Sequence, residues 1–124
     1  MRKSDYYMTT CQKNFERETD MASYAWILGI RPGYEDEYHR RHDEIWPEMT
    51  EALKQSGIRN YNIFKYGLDL FGYFETDDLE FTQKFLAEND VNKRWAEYMA
   101  PIMKVDIDPR TKFPYLLPNV FHHA

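Results

Sequence analysis

The alternation of apolar and polar positions divides the chain into an unpatterned start and a patterned remainder. Residues 1–22 are polar, with charges and threonines scattered among a few aromatic side chains, so they form no apolar face of their own. We interpret them as an N-terminal arm and residues 23–124 as one folded domain. Residues 24–30 are apolar at both odd and even positions, which is typical of a strand covered on both faces and predicts a central strand.

A helical pattern follows the turn at Arg31-Pro32-Gly33. At about 100° per residue, the apolar positions fall within one arc and predict an amphipathic helix over residues 33–55. Pro47 lies inside this stretch and lacks the N–H that a helix interior needs, so we expect the helix to kink or restart near residues 44–46. The arc consists of Tyr34, Tyr38, His42, Ile45, Met49, Ala52 and Leu53.

Later segments predict a hairpin and further helices. Residues 58–66 and 68–76 form two strand patterns around Gly67. Thr76-Asp77-Asp78 offers capping oxygens for one helix, and Asn89-Asp90 for a second helix that runs to about residue 103. Three prolines disfavour regular structure over most of residues 104–119, which leaves residues 120–121 as a candidate last short strand.

The order strand, helix, strand, strand, helix, strand is that of a split βαβ fold. It belongs to the α+β class, with an antiparallel sheet and the helices on one of its faces. The other face then needs cover, because a bare apolar sheet face promotes aggregation. We therefore expect a homodimer in which two sheets face each other.

Composition and charge narrow the class of protein. A hydrophobic fraction of 43% suffices for a core, and the net charge of −5 argues against nucleic acid as a partner. Cys11 is the one cysteine, so neither an intramolecular disulfide nor a zinc–cysteine cluster can form. The longest apolar stretch covers residues 25–30 and is too short to cross a membrane, so we expect a cytoplasmic protein with no membrane partner.

Tyr38 and His42 are the most informative candidates for chemistry. They are four residues apart and therefore neighbours on the apolar face of the predicted helix. A histidine there can act as acid and base near neutral pH, or it can be a core side chain bonded to a backbone carbonyl. His39 lies toward the polar side with no further histidine or cysteine nearby, so we predict no metal site.

Two aromatic residues have a functional and a structural interpretation. Tyr61 lies between Asn60 and Asn62, which predicts either the lining of a hydrogen-bonding pocket or a solvent-facing edge strand. Trp95 is either a core residue or a platform for a sugar ring. The sequence contains neither a glycine-rich phosphate loop nor a nucleophile elbow, which are the usual motifs of phosphoryl-transfer and acyl-transfer enzymes.

One long motif resembles the signature helix of the L-rhamnose mutarotase family: Glu37-Tyr38-His39-Arg40-Arg41-His42, followed by Ile45-Trp46-Pro47-Glu48-Met49. The resemblance spans about residues 24–121 and includes the blocks Asn60-Tyr61-Asn62-Ile63 and Arg94-Trp95-Ala96-Glu97-Tyr98-Met99. It implies a small dimeric α+β barrel of the ferredoxin-like kind, which agrees with the order of elements. It also implies interconversion of the α and β anomers of a free monosaccharide without a cofactor.

The resemblance assigns roles to individual residues. His42 corresponds to the catalytic histidine, expected to protonate the ring oxygen, while Tyr38, Tyr61 and Trp95 correspond to substrate-binding residues. The tryptophan pair of many members falls on Trp95 and Ala96, so one sugar-stacking plane is missing here. The sugar can therefore be L-rhamnose or a related 6-deoxyhexose such as L-fucose.

Two other functions remain open at this point. A dimeric α+β barrel monooxygenase would use the same kind of fold, but its pocket should be mostly apolar. A non-catalytic sugar-binding module would bury His42 for packing alone.

Overall fold

The computed structural model describes residues 22–124, so the predicted N-terminal arm, except for Ala22, lies outside the described residues. In this part of the chain, a four-stranded antiparallel sheet packs against four helices, and a short hairpin with two residues in each strand follows. The elements are β1 (Ala22–Ile30), α1 (Glu35–Asp43), α2 (Pro47–Gln55), β2 (Arg59–Tyr66), β3 (Asp69–Thr76), α3 (Leu79–Glu88), α4 (Asp90–Met99), a 3-10 turn (Ala100–Ile102), β4 (Met103–Lys104), β5 (Ile107–Asp108) and β6 (Phe113–Pro114).

The sheet has the strand order β2-β3-β1-β4, as the split βαβ pattern predicts. β1 is central, since it pairs with β3 along almost its whole length and with β4 at Gly29 and Ile30. The helices cover one face, where Trp26, Ile30 and Phe74 are buried. Among residues 22–124, only one of the two expected faces is covered, because Ile27 on the opposite face is exposed.

Local signals in the sequence place the ends of the helices. The predicted break is confirmed, since α1 ends at Asp43 and Pro47 is the first residue of α2. A proline is well tolerated there, because the first N–H of a helix has no partner within the helix. The predicted caps are also confirmed: Asp78 accepts a hydrogen bond from the Phe81 N–H, and Asn89 accepts one from the Asn92 N–H.

Gly72 allows β3 to pass directly beneath the indole of Trp26. A side chain at this position would point into the indole ring, whose own exposure is only 3%. The missing Cβ therefore lets the largest side chain of β1 lie flat on the sheet below the helices. Trp26 then meets Tyr61 edge-on, with ring centroids 6.5 Å apart.

The prediction of a last strand at residues 120–121 is wrong. The fourth strand is Met103–Lys104, and after the β5–β6 hairpin Leu116 returns to the same sheet edge, where it bridges Trp26. Pairing stops shortly afterwards because Pro118 has no N–H to donate to the sheet. Val120 and Phe121 are exposed and belong to no strand.

Candidate active site

α1 places Tyr38 and His42 together on its inward face. Their ring centroids are 4.4 Å apart, with Tyr38 buried and His42 half-buried. This is the neighbour relation that a spacing of four residues produces on any helix. The predicted pair is therefore present in the structure.

The hydrogen bond of His42 defines which ring nitrogen can accept a proton. Nδ1 lies 3.3 Å from the backbone oxygen of Tyr38. A carbonyl oxygen only accepts, so Nδ1 carries the hydrogen, and in the neutral ring Nε2 is left with its lone pair. Burial lowers the pKa of His42 below its ordinary value of 6.5, although the Tyr38 carbonyl and Asp43 oppose the shift. The resting imidazole is thus neutral at neutral pH and has a basic Nε2.

Tyr61 joins this pair from the sheet. It is on the face covered by helices, edge-on to Trp26 and Phe74, so the alternative of a solvent-facing position is wrong for Tyr61. Asn60 and Asn62, in contrast, are exposed. Burial raises the pKa of both the Tyr61 and Tyr38 phenols, and Tyr61 adds to the increase at Tyr38. Both hydroxyls therefore stay protonated and can donate hydrogen bonds.

Three further aromatic side chains, Trp95, Trp46 and Tyr98, form a packed cluster next to His42. Trp95 of α4 meets the imidazole edge-on at 5.5 Å between centroids. Trp46, between α1 and α2, meets Trp95 edge-on at 5.0 Å, and Tyr98 packs on both indoles at 5.5 and 5.7 Å. Sequence reasoning did not select Trp46 as a site residue. The available signal was its position directly before Pro47, where the chain must leave the helical conformation.

Tyr38, His42, Tyr61 and Trp95 border a cavity of about 640 Å³ between the sheet and the helices, whereas Trp46 and Tyr98 pack behind Trp95 and do not line it. Its size lies in the usual range for small-molecule sites. The lining is mostly apolar, and the polar groups besides those named above are Asn92, Glu97 and Lys112. The predicted site residues that border the cavity are Tyr38, His42, Tyr61, Trp95 and Ala96. Because the lining is mostly apolar, its polarity alone does not separate a mutarotase from a monooxygenase.

A smaller cavity of about 230 Å³ also borders Tyr38 and His42. Its lining combines apolar and polar residues, and it includes His39 and Asp43, whose Nδ1 and Oδ2 atoms are 3.1 Å apart. Both side chains are largely exposed, so this contact contributes little stability. Among residues 22–124, no group of three or more histidine, cysteine or acidic side chains is arranged to hold a metal ion.

The arginines of α1 differ in their partners. Arg40 pairs with Glu37 and Glu44 on the outer surface, and it also lies close to the Tyr98 side chain. Arg41 also bonds Glu37 but extends to Tyr98 of α4. Hydrogen bonds from Arg40 and Arg41 lower the pKa of Glu37 to about 2, so this carboxylate is charged throughout the neutral range.

The fold and this pocket define a small ferredoxin-like α+β protein in which a histidine and two tyrosines face a cavity for a small molecule. A family model described as L-rhamnose mutarotase matches residues 23–123. The chain therefore belongs to the L-rhamnose mutarotase family, which confirms the resemblance seen in its motifs. None of the helices in residues 22–124 has the length and apolar character needed to cross a membrane. A cytoplasmic location stays a prediction.

Individual relatives agree with this assignment. L-rhamnose mutarotase of Oceanobacillus iheyensis is 43% identical over 90 residues, covering 71% of this chain and 86% of the relative. The Listeria monocytogenes protein of the same name is 47% identical over 89 residues, covering 68% and 82%. The crystal structure of an L-rhamnose mutarotase from Formosa agariphila superposes with a TM-score of 0.67 at 30% identity, covering 83% of this chain and 99% of that one. The α+β fold predicted from the sequence is confirmed.

Proposed function

We propose that the protein is an aldose mutarotase that interconverts the α and β anomers of L-rhamnose or a related 6-deoxyhexose. The observation that carries this proposal is a neutral imidazole with a basic Nε2, bordering a cavity between two protonated phenols and an indole. Relatives that align with most of this chain are named L-rhamnose mutarotases, which supports the choice of sugar.

A single imidazole can carry the proton through the whole reaction. Nε2 of His42 takes the proton of the anomeric hydroxyl, the C1–O5 bond breaks as the C1 carbonyl forms, and the imidazolium returns the proton to O5. Rotation about C1–C2 then presents the other face of the aldehyde. Ring closure reverses the same steps and yields the other anomer with the imidazole neutral again. The proton leaves one oxygen of the sugar and ends on another, so no external acid is consumed.

The neighbouring side chains orient the sugar in this scheme. The phenols of Tyr38 and Tyr61 donate hydrogen bonds to sugar oxygens, and Trp95 stacks on an apolar C–H face of the ring. Because Trp95 also contacts His42 edge-on, a sugar stacked on the indole lies beside Nε2 of the imidazole. The resemblance assigns His42 as the donor to the ring oxygen, and in this scheme it does so after acting first as a base.

NMR saturation transfer between the two anomers tests the activity directly. L-rhamnose and L-fucose are each incubated with the protein, and exchange is compared with that in protein-free buffer. We expect faster exchange for at least one sugar. Binding without faster exchange would favour the non-catalytic sugar-binding alternative, and oxidation of an aromatic substrate without sugar exchange would favour the monooxygenase alternative.

The pH dependence of the rate follows from the state of His42. Because burial lowers its pKa, the neutral, active form predominates above the ordinary value of 6.5 and is lost as the pH falls through the lower pKa of the folded protein. We expect a level rate around neutral pH and a decline on the acidic side. Rates measured from pH 4 to 8, a range of about four units around the reference pKa, check this. A rate that rises as the pH falls would show that the imidazolium is the active form.

Ala96 is expected to influence which sugar is preferred. It borders the cavity beside Trp95, and an indole at this position would add a second stacking plane and reduce the space. We expect Ala96→Trp to change the ratio of the exchange rates of L-rhamnose and L-fucose. Ala96→Ser, which barely changes the volume, is the matched control. An unchanged ratio in the tryptophan variant would show that this position does not select the sugar.

We propose further that the protein is a homodimer joined through the sheet face opposite the helices. This face carries large apolar side chains from three adjacent strands, which are Ile27, Phe64, Tyr66 and Phe71. Phe71 lies between the other two strands, paired with Ile27 on one side and with Phe64 on the other. A continuous apolar strip of this kind fits a second copy of itself around a twofold axis.

Phe64→Glu is expected to convert the dimer into a monomer, because it places a charge in the centre of that strip. Its side chain is 62% exposed, so the folded chain accepts the change without loss of core packing. Sedimentation velocity measures the mass. Phe81→Glu is the control, since Phe81 is 51% exposed but lies on α3 away from this face. Identical masses for the two variants would contradict the proposed interface.

A further inference from the structure

We propose that Arg41 is a positioning residue that holds α4, which carries Trp95, against α1, which carries His42. It thereby fixes the distance between the indole on which the sugar stacks and the imidazole that carries the proton. This inference rests on the proposed function. Arg41 does not border the cavity, so it acts on the reaction only through other side chains.

Arg41 connects two helices through three contacts of its guanidinium. Nε donates to Glu37 one turn earlier on α1, at 2.6 Å. Nη1 donates to the backbone oxygen of Tyr98 in the last turn of α4, at 2.5 Å. The guanidinium carbon lies 4.0 Å from the centre of the Tyr98 ring, which is a close cation–π contact.

The surroundings of Arg41 differ from those of its neighbour in the sequence. The Arg41 side chain is 18% exposed and that of Arg40 is 50% exposed. The ion pairs of Arg40 join Glu37 and Glu44, which lie in α1 and directly after it. Arg40 also lies close to the Tyr98 side chain, but the stacking on the ring and the bond to the Tyr98 backbone oxygen are made by Arg41. Because water screens an exposed pair but much less a half-buried one, the Arg41 contacts constrain geometry more strongly.

The contacts of Tyr98 extend this constraint to the site. The Tyr98 ring packs on both Trp46 and Trp95, and Trp95 in turn meets His42. Arg41 is adjacent to His42 in the chain, so the contacts form a closed loop from α1 to α4 and back. A shift of α4 away from α1 would move the indole of Trp95 relative to Nε2. Displacements near 1 Å in an active site can reduce rates by about 10²-fold.

Arginine chemistry suits this link, and lysine chemistry does not. The planar guanidinium can stack on a ring while it donates in two directions within its plane. A lysine ammonium keeps the positive charge but is a point charge without a plane. Arg41→Lys therefore removes the geometry of the link and retains its charge.

The test compares Arg41→Lys with Arg40→Lys as the matched control. We expect Arg41→Lys to lower kcat about tenfold at temperatures well below its Tm, and to weaken the near-ultraviolet circular dichroism of the packed indoles. Arg40→Lys should change neither quantity. A lower Tm with an unchanged kcat in Arg41→Lys would show a purely structural role and overturn the proposal.

Tyr98 supplies a second, independent variant pair. Tyr98→Leu removes the ring beneath the guanidinium, whereas Tyr98→Phe keeps it. Tyr98→Leu should therefore show the loss in kcat and Tyr98→Phe should not. The double variant Arg41→Lys/Tyr98→Leu should lose little more than either single variant, because both break the same link. Additive losses, or equal kcat for both Tyr98 variants, would contradict the proposal even if Arg41→Lys fails to fold.

The near-ultraviolet signal also separates this proposal from the proposed function. If the unmodified protein does not accelerate anomer exchange, the mutarotase proposal fails. The spectral difference between Arg41→Lys and Arg40→Lys still shows whether Arg41 holds the indoles in place. An unchanged spectrum in Arg41→Lys would reject the link whatever the reaction is.

Discussion

Replacement of His42 by asparagine is expected to reduce the rate of anomer exchange by about 10²–10⁴-fold, the usual contribution of a positioned acid–base group. An amide cannot take or return a proton at these pH values, but its NH₂ group can keep the hydrogen bond to the Tyr38 carbonyl. The loss should therefore appear in kcat, with a folded protein by circular dichroism. Saturation transfer between the anomers of L-rhamnose measures it.

His39→Asn is the matched control for this experiment. His39 is on the same helix, but its side chain is 81% exposed and pairs with Asp43. We expect its rate to stay close to that of the unmodified protein. A fully active His42→Asn variant, or an equal loss in His39→Asn, would remove His42 from the proposed mechanism.

Gly72→Ala is expected to lower the free energy of unfolding by about 3 kcal/mol, at the upper end of the usual cost of overpacking. The new methyl group would overlap the six-membered ring of the Trp26 indole. The indole is almost completely buried between the sheet and the helices, so it cannot turn aside without disturbing its neighbours. Urea unfolding followed by circular dichroism measures the change.

Gly29→Ala is the matched control for Gly72→Ala. Gly29 is in the same sheet, and a methyl group there would be 3.4 Å from the Leu68 carbonyl oxygen and 3.5 Å from Lys104 Cβ. These are ordinary van der Waals distances, so we expect a much smaller change. Equal destabilisation of the two variants would show that the contact with Trp26 is not the cause.

Features set by nearby residues could be predicted from the sequence. The break before Pro47 and the cap at Asp78 depend on the chemistry of one or two residues, and both are present. The Tyr38–His42 pair is equally local, because a helix brings side chains four residues apart together wherever it lies.

Features set by distant contacts were not predictable in the same way. The fourth strand is only two residues long, and it exists because Met103 and Lys104 pair with Ile30 and Gly29. Its own sequence contains no strand pattern, and the prediction placed the strand too late in the chain.

The sequence did not decide which face of the sheet the Tyr61 side chain occupies, for a related reason. Asn60 has a φ of +50°, and the register of β2 shifts between Arg59 and Asn62. Such a bulge interrupts the alternation of inward and outward positions, so simple parity does not decide where Tyr61 points. The position of Trp46 against Trp95 likewise depends on the packing of separate helices.

The end of α1 at Asp43 places His42 in the last turn of its helix. Peptide dipoles leave a partial negative charge at that end, which favours a cation by about 0.3–2 kcal/mol depending on burial. The resting ring is neutral, but each turnover of the proposed mechanism passes through an imidazolium. In that mechanism the partial negative charge of the helix terminus stabilises this short-lived cation.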